Sequence, residues 1–342
     1  MATIYDVAKE SGFSVATVSK VFNHYAGVNA KTKEQVLIAS KKIGYIPNLS
    51  AQTLVTNKSW LIGVIFKEDL EQGLVHPHFG GILESFKSMM EKAGYDIIFL
   101  NQNFSNNELK YLEHCRYRNV DGVLLASSSL PEKEAVAIEK AGFTCVSVEN
   151  IYRNIPTVLS NNEEGTRQIL NYLYTLGHRK IAMVIPPLKS LAGRERFQAY
   201  QNFLQKQGIP FKEDLVIECE EYSVPSACEA VEKLLNKCLD DFPTAIFAGY
   251  DQIAFAVEKI LIKRGYAIPN DISVVGFDDL ELAASITPTL TTVRQNRKII
   301  GLRAAELMLK RLNDDEQVNH SEIIRIDTEL KVRNSTCRAR TN

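Results

Sequence analysis

The hydrophobic pattern of the chain changes near residue 60. Before that point, apolar residues recur three and four positions apart in short runs, which is typical of small amphipathic helices. After it, continuous runs of Val, Ile and Leu alternate with longer amphipathic stretches. Such runs predict parallel strands that are buried on both faces and connected by helices. We therefore expect a small helical unit followed by a larger α/β unit.

The first two predicted helices have clear start and stop signals. Thr3 and Asp6 have the spacing of a capping box, in which each side chain satisfies a free backbone amide. Gly12 can adopt the positive φ that a sharp turn needs. Ser14 is expected to cap a second helix over residues 15–23. Two short helices joined in this way predict a helix-turn-helix.

The second predicted helix has two different faces. Val18, Val21 and Phe22 follow helical spacing and are expected to pack inward. The outer face carries small, hydroxyl, amide and cationic side chains, which suit a helix in the major groove of DNA. From this pattern alone, a three-helix scaffold that binds protein is the alternative. The side chains expected to face DNA are Ser14, Val15, Ala16, Thr17, Ser19, Lys20 and Asn23.

A third helix is predicted over residues 31–44, and longer matches surround it. The runs Thr3-Ile4-Tyr5-Asp6-Val7-Ala8, Ala16-Thr17-Val18-Ser19 and Gly44-Tyr45-Ile46-Pro47-Asn48 resemble the headpiece of the LacI/GalR family of bacterial transcription regulators. The resemblance continues through nearly the whole chain. It implies a helix-turn-helix headpiece over residues 1–47 and a hinge helix or linker over residues 48–58.

The resemblance also implies how the hinge acts. In that family the matching segment is a helix that folds only on the operator, and its leucine, here Leu54, wedges into a base step from the minor groove. An apolar wedge costs a few kcal/mol of unstacking, which the contacts of the bent DNA offset. Without the resemblance, a plain linker is the favoured interpretation. The resemblance adds five residues to the predicted DNA contacts: Thr3, Tyr5, Asn48, Ala51 and Leu54.

Charge and composition fit a DNA-binding module attached to an acidic body. Seven lysines and three acidic residues give residues 1–60 a charge of +4, and the remainder carries −5 because the whole chain carries −1. DNA affinity is then expected to rely on dimerisation and to fall steeply with salt. The N-terminus lacks a signal-peptide pattern, and six scattered cysteines are expected to be reduced thiols. These features predict a cytoplasmic protein without membrane partners.

Nine strands are predicted in the larger unit, too many for one sheet, so we expect two doubly wound subdomains. The layout resembles the periplasmic-binding-protein type I fold, which the family uses for its effector core. The resemblance implies an effector-binding and dimerisation core over residues 59–332. Its first subdomain covers about 59–160 and 293–322, its second covers about 161–292 and 323–332, and residues 333–342 form a tail that we expect to be disordered. The predicted strands cover residues 61–66, 96–100, 122–126, 145–149, 157–161, 180–185, 215–219, 245–249 and 273–277, and a last strand over 322–332 is expected to end in the second subdomain. The chain is expected to cross between the subdomains three times, near Asn161, near Thr289–Gln295 and near Ile326.

Ligands of open α/β sheets lie beyond the carboxyl ends of the strands, and polar or aromatic residues follow several of them here. Arg196 and Asp278 match positions at which the family holds its effector, and a guanidinium opposite a carboxylate can grip sugar hydroxyls. The family also places an apolar, aromatic patch at Phe79. Tyr250 can stack on a pyranose or a base. The hydroxyls of Ser127 and Ser129 can bond a sugar or phosphate, or cap the next helix, and the sequence leaves both open.

The function predicted is a dimeric transcription regulator, expected to repress carbohydrate genes, with a pseudo-palindromic operator and a sugar or sugar phosphate as effector. His76 and His78 have the spacing of metal ligands, but no third ligand is evident, and no metal or cofactor is predicted. No catalytic motif is present, so we expect no enzyme. One alternative is control by a phosphorylated protein, as in the catabolite-control branch of the family. Another is a sugar receptor, which would need a signal peptide and no headpiece.

Overall fold

The protein is described by a computed structural model that covers residues 2–23, 25, 27–46, 58–67, 73–104, 107–108, 110–127, 129–221, 223–238, 242–313 and 321–340. The chain divides into two compact units. One contains residues 1–61 with 119–121, and the other contains residues 62–118 with 122–342. Across the described ranges, no helix combines the length and the apolar character needed to cross a membrane.

The described residues of the first unit form the helices α1 (Ile4–Ser11), α2 (Val15–Phe22) and α3 (Ala30–Lys42). Their apolar faces share one small core, in which the predicted inward residues Val18 and Val21 are almost fully buried. The helices form because apolar residues at helical spacing meet there, and the bounds differ from the prediction by one or two residues. The core consists of Val7, Ala8, Val18, Val21 and Val36.

The described part of the second unit contains two large, separate sheets, and we call each of them with its helices a subdomain. The first sheet has six strands, and a short hairpin of β3 (Asn103–Phe104) and β4 (Asn107–Glu108) lies outside it. The strands of this sheet are β1 (Leu61–Lys67), β2 (Asp96–Leu100), β5 (Gly122–Ser127), β6 (Thr144–Val148), β7 (Thr157–Ser160) and β13 (Ile323–Ile326).

The order in the first sheet is β13-β7-β6-β5-β1-β2, with parallel pairing from β13 through β1. A core on one face joins the sheet to two helices that pack closely against each other, and it includes Ile62, Val64, Phe86, Ile300 and Met308. The helices of the first subdomain are α4 (Pro77–Lys92), α5 (Tyr111–Arg118), α6 (Glu132–Lys140) and α11 (Arg297–Leu312), of which α4 and α11 form this close pair.

The second sheet is buried on both faces, as the continuous apolar strands predicted. Along one strand, Ile246 and Ala248 enter the core on one face, whereas Ala245 and Phe247 enter the core on the other. Its strands are β8 (Ile181–Ile185), β9 (Val216–Glu218), β10 (Ala245–Ala248) and β11 (Ser273–Val275). They are parallel, and their order across the sheet is β11-β10-β8-β9. The helices that cover it are α7 (Asn162–Thr175), α8 (Leu191–Lys206), α9 (Val224–Lys237) and α10 (Asp251–Lys263), and short 3-10 turns lie at Gly73–Val75, Glu213–Leu215 and Glu281–Ala284.

A two-stranded antiparallel ribbon joins the subdomains, formed by β12 (Thr292–Arg294) and β14 (Glu329–Lys331). The prediction of one continuous strand over residues 322–332 was wrong, whereas the chain does leave the first sheet just after Ile326, where a crossing was expected. The first part of that segment is β13, which pairs with β7 in the first sheet, and the second part is β14. A continuous strand of eleven residues would extend about 36 Å, much longer than the neighbouring strands, so the segment divides between two partners.

The expected disorder of residues 333–342 was also wrong for the described part of this tail. Residues 333–340 run along the second sheet, and Ser335 is fully buried. The backbone N–H of Val274 donates to the carbonyl oxygen of Ser335 at 2.8 Å, and the Ser335 hydroxyl donates to the Val274 oxygen at 2.6 Å. The tail is ordered because the outer edge of β11 needs hydrogen-bond partners, which this backbone supplies.

Candidate functional site

The turn between α1 and α2 is built as its sequence predicts. Thr3 and Asp6 form a capping box, in which the Asp6 carboxylate accepts hydrogen bonds from the Thr3 backbone and hydroxyl at 2.8 Å each. Gly12 has φ +74°, and its N–H donates to the carbonyl oxygen of Ala8 at 3.0 Å. Ser14 caps α2 by accepting from the Thr17 N–H at 3.2 Å. These contacts fix the direction in which α2 leaves the turn.

The outer face of α2 is only partly free to contact a ligand. Ala16 and Lys20 are exposed, whereas Val15 is half-buried against the helical core. Ser19 and Asn23 bond to each other, because the Asn23 amide donates to the Ser19 hydroxyl at 3.1 Å. The structure thus presents a small apolar group and a cation on this face. Three further predicted DNA-contact residues are also exposed, namely Thr3, Tyr5 and Ser14, and Thr17 is half-buried.

The predicted contacts of the hinge, Asn48, Ala51 and Leu54, lie outside the described residues. The chain is described again from Lys58. Just after it, the Asp121 carboxylate accepts hydrogen bonds from the Ser59 N–H and the Trp60 N–H at 2.8 and 2.9 Å. Trp60 has φ +57°, an uncommon conformation for a bulky residue. These two hydrogen bonds to one carboxylate fix the backbone where the predicted hinge segment ends.

In the second unit, Arg196 is held in place from several directions. It lies on α8 and is 4% exposed. Its Nε donates to Asn162 Oδ1 at 2.9 Å and its Nη1 to the Gly249 oxygen at 2.6 Å. The guanidinium carbon lies 3.7 Å from the ring centroid of Phe277, which is a cation–π contact. The guanidinium is therefore preorganised at the carboxyl end of the second sheet.

Asp278 lies beside this arginine, so the structure brings the two strongest predicted effector residues together. Its Oδ1 is 3.9 Å from Arg196 Nη1 and accepts a hydrogen bond from the Gln295 amide. Burial raises the pKa of Asp278 above its ordinary value, although Arg196, His78 and Arg297 oppose that shift. Gln295 Oε1 is itself buried and has no hydrogen-bond partner among the described residues. Such an acceptor can be satisfied by a donor from a ligand or by an ordered water.

A second carboxylate with a nearby imidazole lies at the end of the first sheet. His78 Nε2 is 3.4 Å from Glu149 Oε1, which also accepts from the Ser160 N–H and hydroxyl at 3.1 and 3.2 Å. Burial works to raise the pKa of Glu149, but the charges of His78 and Arg196 and the bonds from Ser160 hold it below its ordinary value. Glu149 has φ +61°, which turns its side chain out of line with β6.

The two pairs lie within electrostatic reach across the cleft between the subdomains. Arg196 acts to lower the pKa of Glu149 across the cleft, and His78 acts to lower the pKa of Asp278. Each subdomain thus contributes one carboxylate and one cationic or ionisable partner. Carboxylates that accept and a guanidinium that donates can together bind a ring with several hydroxyl groups.

Aromatic rings cover one side of this cleft. Phe79 is 5% exposed and makes edge-to-face contacts with Phe66, His76 and His78, with ring centroids 5.2 to 5.6 Å apart. His76 caps α4, because its Nδ1 accepts from the N–H groups of His78 and Phe79. Burial and the neighbouring His78 lower the pKa of His76 to about 4. The His-x-His motif therefore acts as a neutral helix cap with an ionisable side chain two residues later.

Two of the predicted effector residues have structural roles instead. Ser127 is fully buried, donates to the Lys67 oxygen at 2.8 Å and accepts from the N–H groups of Ser129 and Leu130. This hydroxyl closes the turn after β5 and does not cap the next helix, whose N-cap Pro131 makes no side-chain cap bond. Tyr250 is 4% exposed and its ring belongs to the apolar core on the α9 and α10 side, so it offers no face for stacking. Ser129 Oγ is buried and has no hydrogen-bond partner within the described part of the chain.

Several cleft residues were missed by the sequence analysis. His78, Glu149, Asn162 and Gln295 are polar residues at the ends of buried strands or beside the crossing ribbon. Their position after a strand was a signal, but the sequence gave no sign of which of many such residues face the cleft. Their partners lie 11 to 71 positions away along the chain.

Comparisons with known proteins cover both parts of the chain. Residues 3–48 match the family model described as bacterial regulatory proteins, lacI family, and residues 170–336 match a periplasmic binding protein-like domain. Catabolite control protein A of Priestia megaterium is 31% identical over 98% of this chain and 99% of its own. A structure of the lac repressor dimer bound to operator and the anti-inducer ONPF has a TM-score of 0.80 and 27% identity, and covers 98% of this chain and 99% of its own. A complex of the regulator CelR with cellobiose has a TM-score of 0.71 and 28% identity, and covers 98% of this chain and 100% of its own. The chain belongs to the lacI family of bacterial regulatory proteins.

Proposed function

We propose that this protein is a dimeric transcriptional repressor whose affinity for operator DNA is set by a small, hydroxyl-rich effector. The observation that carries the proposal is the pairing of Arg196 with Asp278 opposite His78 with Glu149 in the cleft. Each pair belongs to a different subdomain, so a ligand that bonds to both stabilises the closed arrangement. The likeness to a cellobiose-bound regulator supports a sugar as effector.

The polar groups of the cleft favour a ligand with many hydroxyl donors. The carboxylates of Glu149 and Asp278 accept hydrogen bonds, and the buried Gln295 oxygen needs a donor. Arg196 already donates to two fixed protein oxygens, which leaves part of its guanidinium for a ring oxygen or hydroxyl. Phe66 is half-buried and packs edge-to-face on Phe79, which lies in the apolar core, so Phe66 is the ring that can offer an apolar surface to a sugar.

DNA binding is assigned to the first unit. Ala16 and Lys20 on the exposed face of α2 are suited to a thymine methyl and to guanine or phosphate. Two copies of the chain related by a two-fold axis would place two such helices on a pseudo-palindromic operator, as in the lac repressor dimer on its operator. We assign the protein to the cytoplasm, where that operator is accessible. The hinge residues Asn48, Ala51 and Leu54 are proposed to contact the centre of the site.

Effector binding can control DNA binding because the two ligands share one conformational equilibrium. An effector that binds one subdomain arrangement more tightly shifts the population toward that arrangement. The resulting change in operator affinity is set by the ratio of the effector's affinities for the two arrangements. Whether the change releases or recruits the protein depends on which arrangement also favours the hinge helix on DNA.

The first experiment is fluorescence anisotropy of a labelled duplex from the upstream region of the gene. Protein is titrated alone and then with a panel of neutral sugars and sugar phosphates. Release of the duplex by one compound identifies an inducer, and tighter binding identifies a corepressor. If no compound changes the affinity while DNA still binds, the effector proposal is wrong, and a phosphorylated protein becomes the partner to test. The relationship to a protein named catabolite control protein A gives that outcome a specific basis.

Two neighbouring arginines on α8 give a matched pair of variants for the cleft. Arg196→Met removes the buried guanidinium, whereas Arg194→Met removes one that donates to the oxygens of Leu188 and Lys189 at the surface. A lost charge-assisted hydrogen bond is worth about 1.5–3 kcal/mol, so effector affinity should fall by about 10- to 150-fold in the first variant only. Equal effector affinity of both variants would contradict the assignment, provided that circular dichroism shows both are folded.

A further inference from the structure

The side chain of Arg297 joins backbone oxygens of both subdomains. Its Nη1 donates to the Pro77 oxygen at 3.0 Å, at the start of α4 in the first subdomain. Its Nη2 donates to the Asp279 oxygen at 2.9 Å and the Asp278 oxygen at 3.3 Å, in the loop after β11 of the second subdomain. Arg297 itself is the first residue of α11, which packs on α4. One guanidinium therefore connects the two loops that carry the cleft residues.

Helix α4 and the loop after β11 are both shaped to accept this side chain. A Cβ at Gly81 would lie 3.2 Å from Cβ and 3.4 Å from Cδ of Arg297, so the glycine leaves room for the aliphatic part of the arginine. Asp278 and Asp279 have φ values of +133° and +52°, which non-glycine residues rarely adopt. These angles turn two consecutive carbonyl oxygens toward the same guanidinium group. The unusual backbone conformation is thus satisfied by a residue from the other subdomain.

The chemistry of arginine suits this connection. A guanidinium has five N–H donors in a rigid plane and stays charged at any pH that the protein meets. It can therefore donate hydrogen bonds to three carbonyl oxygens on two elements at once, whereas methionine at this position could donate none. The charge also acts on Asp278, since Arg297 is one of the groups that oppose the raised pKa of that carboxyl.

We propose that Arg297 is a positioning residue that holds the two subdomains closed over the effector cleft. The bonds to Asp278 and Asp279 exist only while the loop after β11 lies beside the start of α4. Opening the cleft must break these hydrogen bonds and expose the carbonyl oxygens of Asp278 and Asp279 to water. The role in effector affinity rests on the function proposed above, but the effect on closure does not require an effector.

The test compares Arg297→Met with Arg303→Met in the full-length protein without DNA or effector. Arg303 lies on the same helix and pairs with Glu306 on that helix at 2.8 Å, so its loss leaves the cleft unchanged. Hydrogen–deuterium exchange is followed at Asp278, whose N–H donates to the Val293 oxygen, and at Gly80, whose N–H donates to the His76 oxygen. Small-angle X-ray scattering of the same samples reports the radius of gyration.

We expect exchange at Asp278 to be at least tenfold faster in Arg297→Met than in Arg303→Met, together with a larger radius of gyration. Arg297→Lys, which keeps the charge but not the planar fork, should lie between Arg297→Met and the unmodified protein. Equal exchange and equal scattering of the two methionine variants would show that Arg297 does not control closure. A change in both measurements, combined with a sugar panel in which no compound binds, would uphold this inference and refute the effector proposal.

Discussion

Replacing Glu258 by methionine should stabilise the protein above neutral pH. Glu258 lies on α10 and is 4% exposed, and its Oε1 is buried without a hydrogen-bond partner in the described ranges. Burial, with a further contribution from the charge of Asp251, raises the pKa of Glu258 to about 8. The folded protein must therefore either keep this carboxyl protonated or bear a poorly solvated charge.

The sign and size of the effect follow from the two pKa values. An unfolded chain releases the proton near the ordinary value of 4.5, whereas the folded protein keeps it until about pH 8. Between these values the folded state binds more protons, so the free energy of unfolding falls as pH rises, by up to ~1.4 kcal/mol per pH unit. The full difference corresponds to about 5 kcal/mol, an upper limit because water reaches even buried groups. Methionine has a similar length and no proton to lose.

The assay is urea unfolding of both proteins at pH 5, 7 and 9, followed by circular dichroism. Glu258→Met should be close to the unmodified protein at pH 5 and more stable by about 2–5 kcal/mol at pH 9. Glu229→Gln is the control, because Glu229 forms an exposed pair with Lys233 worth at most about 1 kcal/mol. The reasoning is refuted if Glu258→Met loses stability between pH 5 and 9 as steeply as the unmodified protein.

Two further predictions concern the DNA-binding unit. Leu54→Ala should weaken operator binding at least tenfold in anisotropy titrations, because alanine cannot wedge between base pairs, while effector binding survives; unchanged operator affinity would exclude the wedge. Gly12→Ala should destabilise the helical unit by about 1–2 kcal/mol, since φ is +74° there and a Cβ costs that much in the left-handed region. If the temperature at which half of the operator binding is lost is the same in both proteins, the turn accommodates the alanine without loss of stability.

The strands of the core could be predicted because their hydrophobic runs are continuous. The strand Asp96–Leu100 has the predicted bounds, and Leu61–Lys67 differs by one residue. In the helical unit, Val18 and Val21 are buried as their spacing indicated. In these elements, the local hydrophobic pattern and the packing against the rest of the protein favour the same secondary structure, so the sequence predicts it correctly.

The prediction failed where a residue's environment depends on distant segments. Residues 322–332 read as one strand because alternating polarity does not show that Ile323–Ile326 and Glu329–Lys331 have different partners. The order of the tail depends on Val274, 61 residues earlier in the chain than Ser335. Ser127 illustrates the same limit at the site, since a hydroxyl at a strand end can cap a helix or bind a ligand.

The contribution of the tail to the second sheet has a consequence for synthesis on the ribosome. The strands β8 to β11 are complete once residue 275 has been made, yet the Val274 N–H on the outer edge of β11 stays unpaired until Ser335 emerges, although Val275 at the end of the strand pairs earlier with Thr291. The ribosome adds about 5–20 residues per second, so this edge waits at least several seconds for its partner. During that time the nascent chain presents an unpaired strand edge, which is the kind of surface that chaperones protect. Cells that produce this protein at high level should therefore accumulate aggregates that form before release, and slower translation of residues 276–335 should increase them.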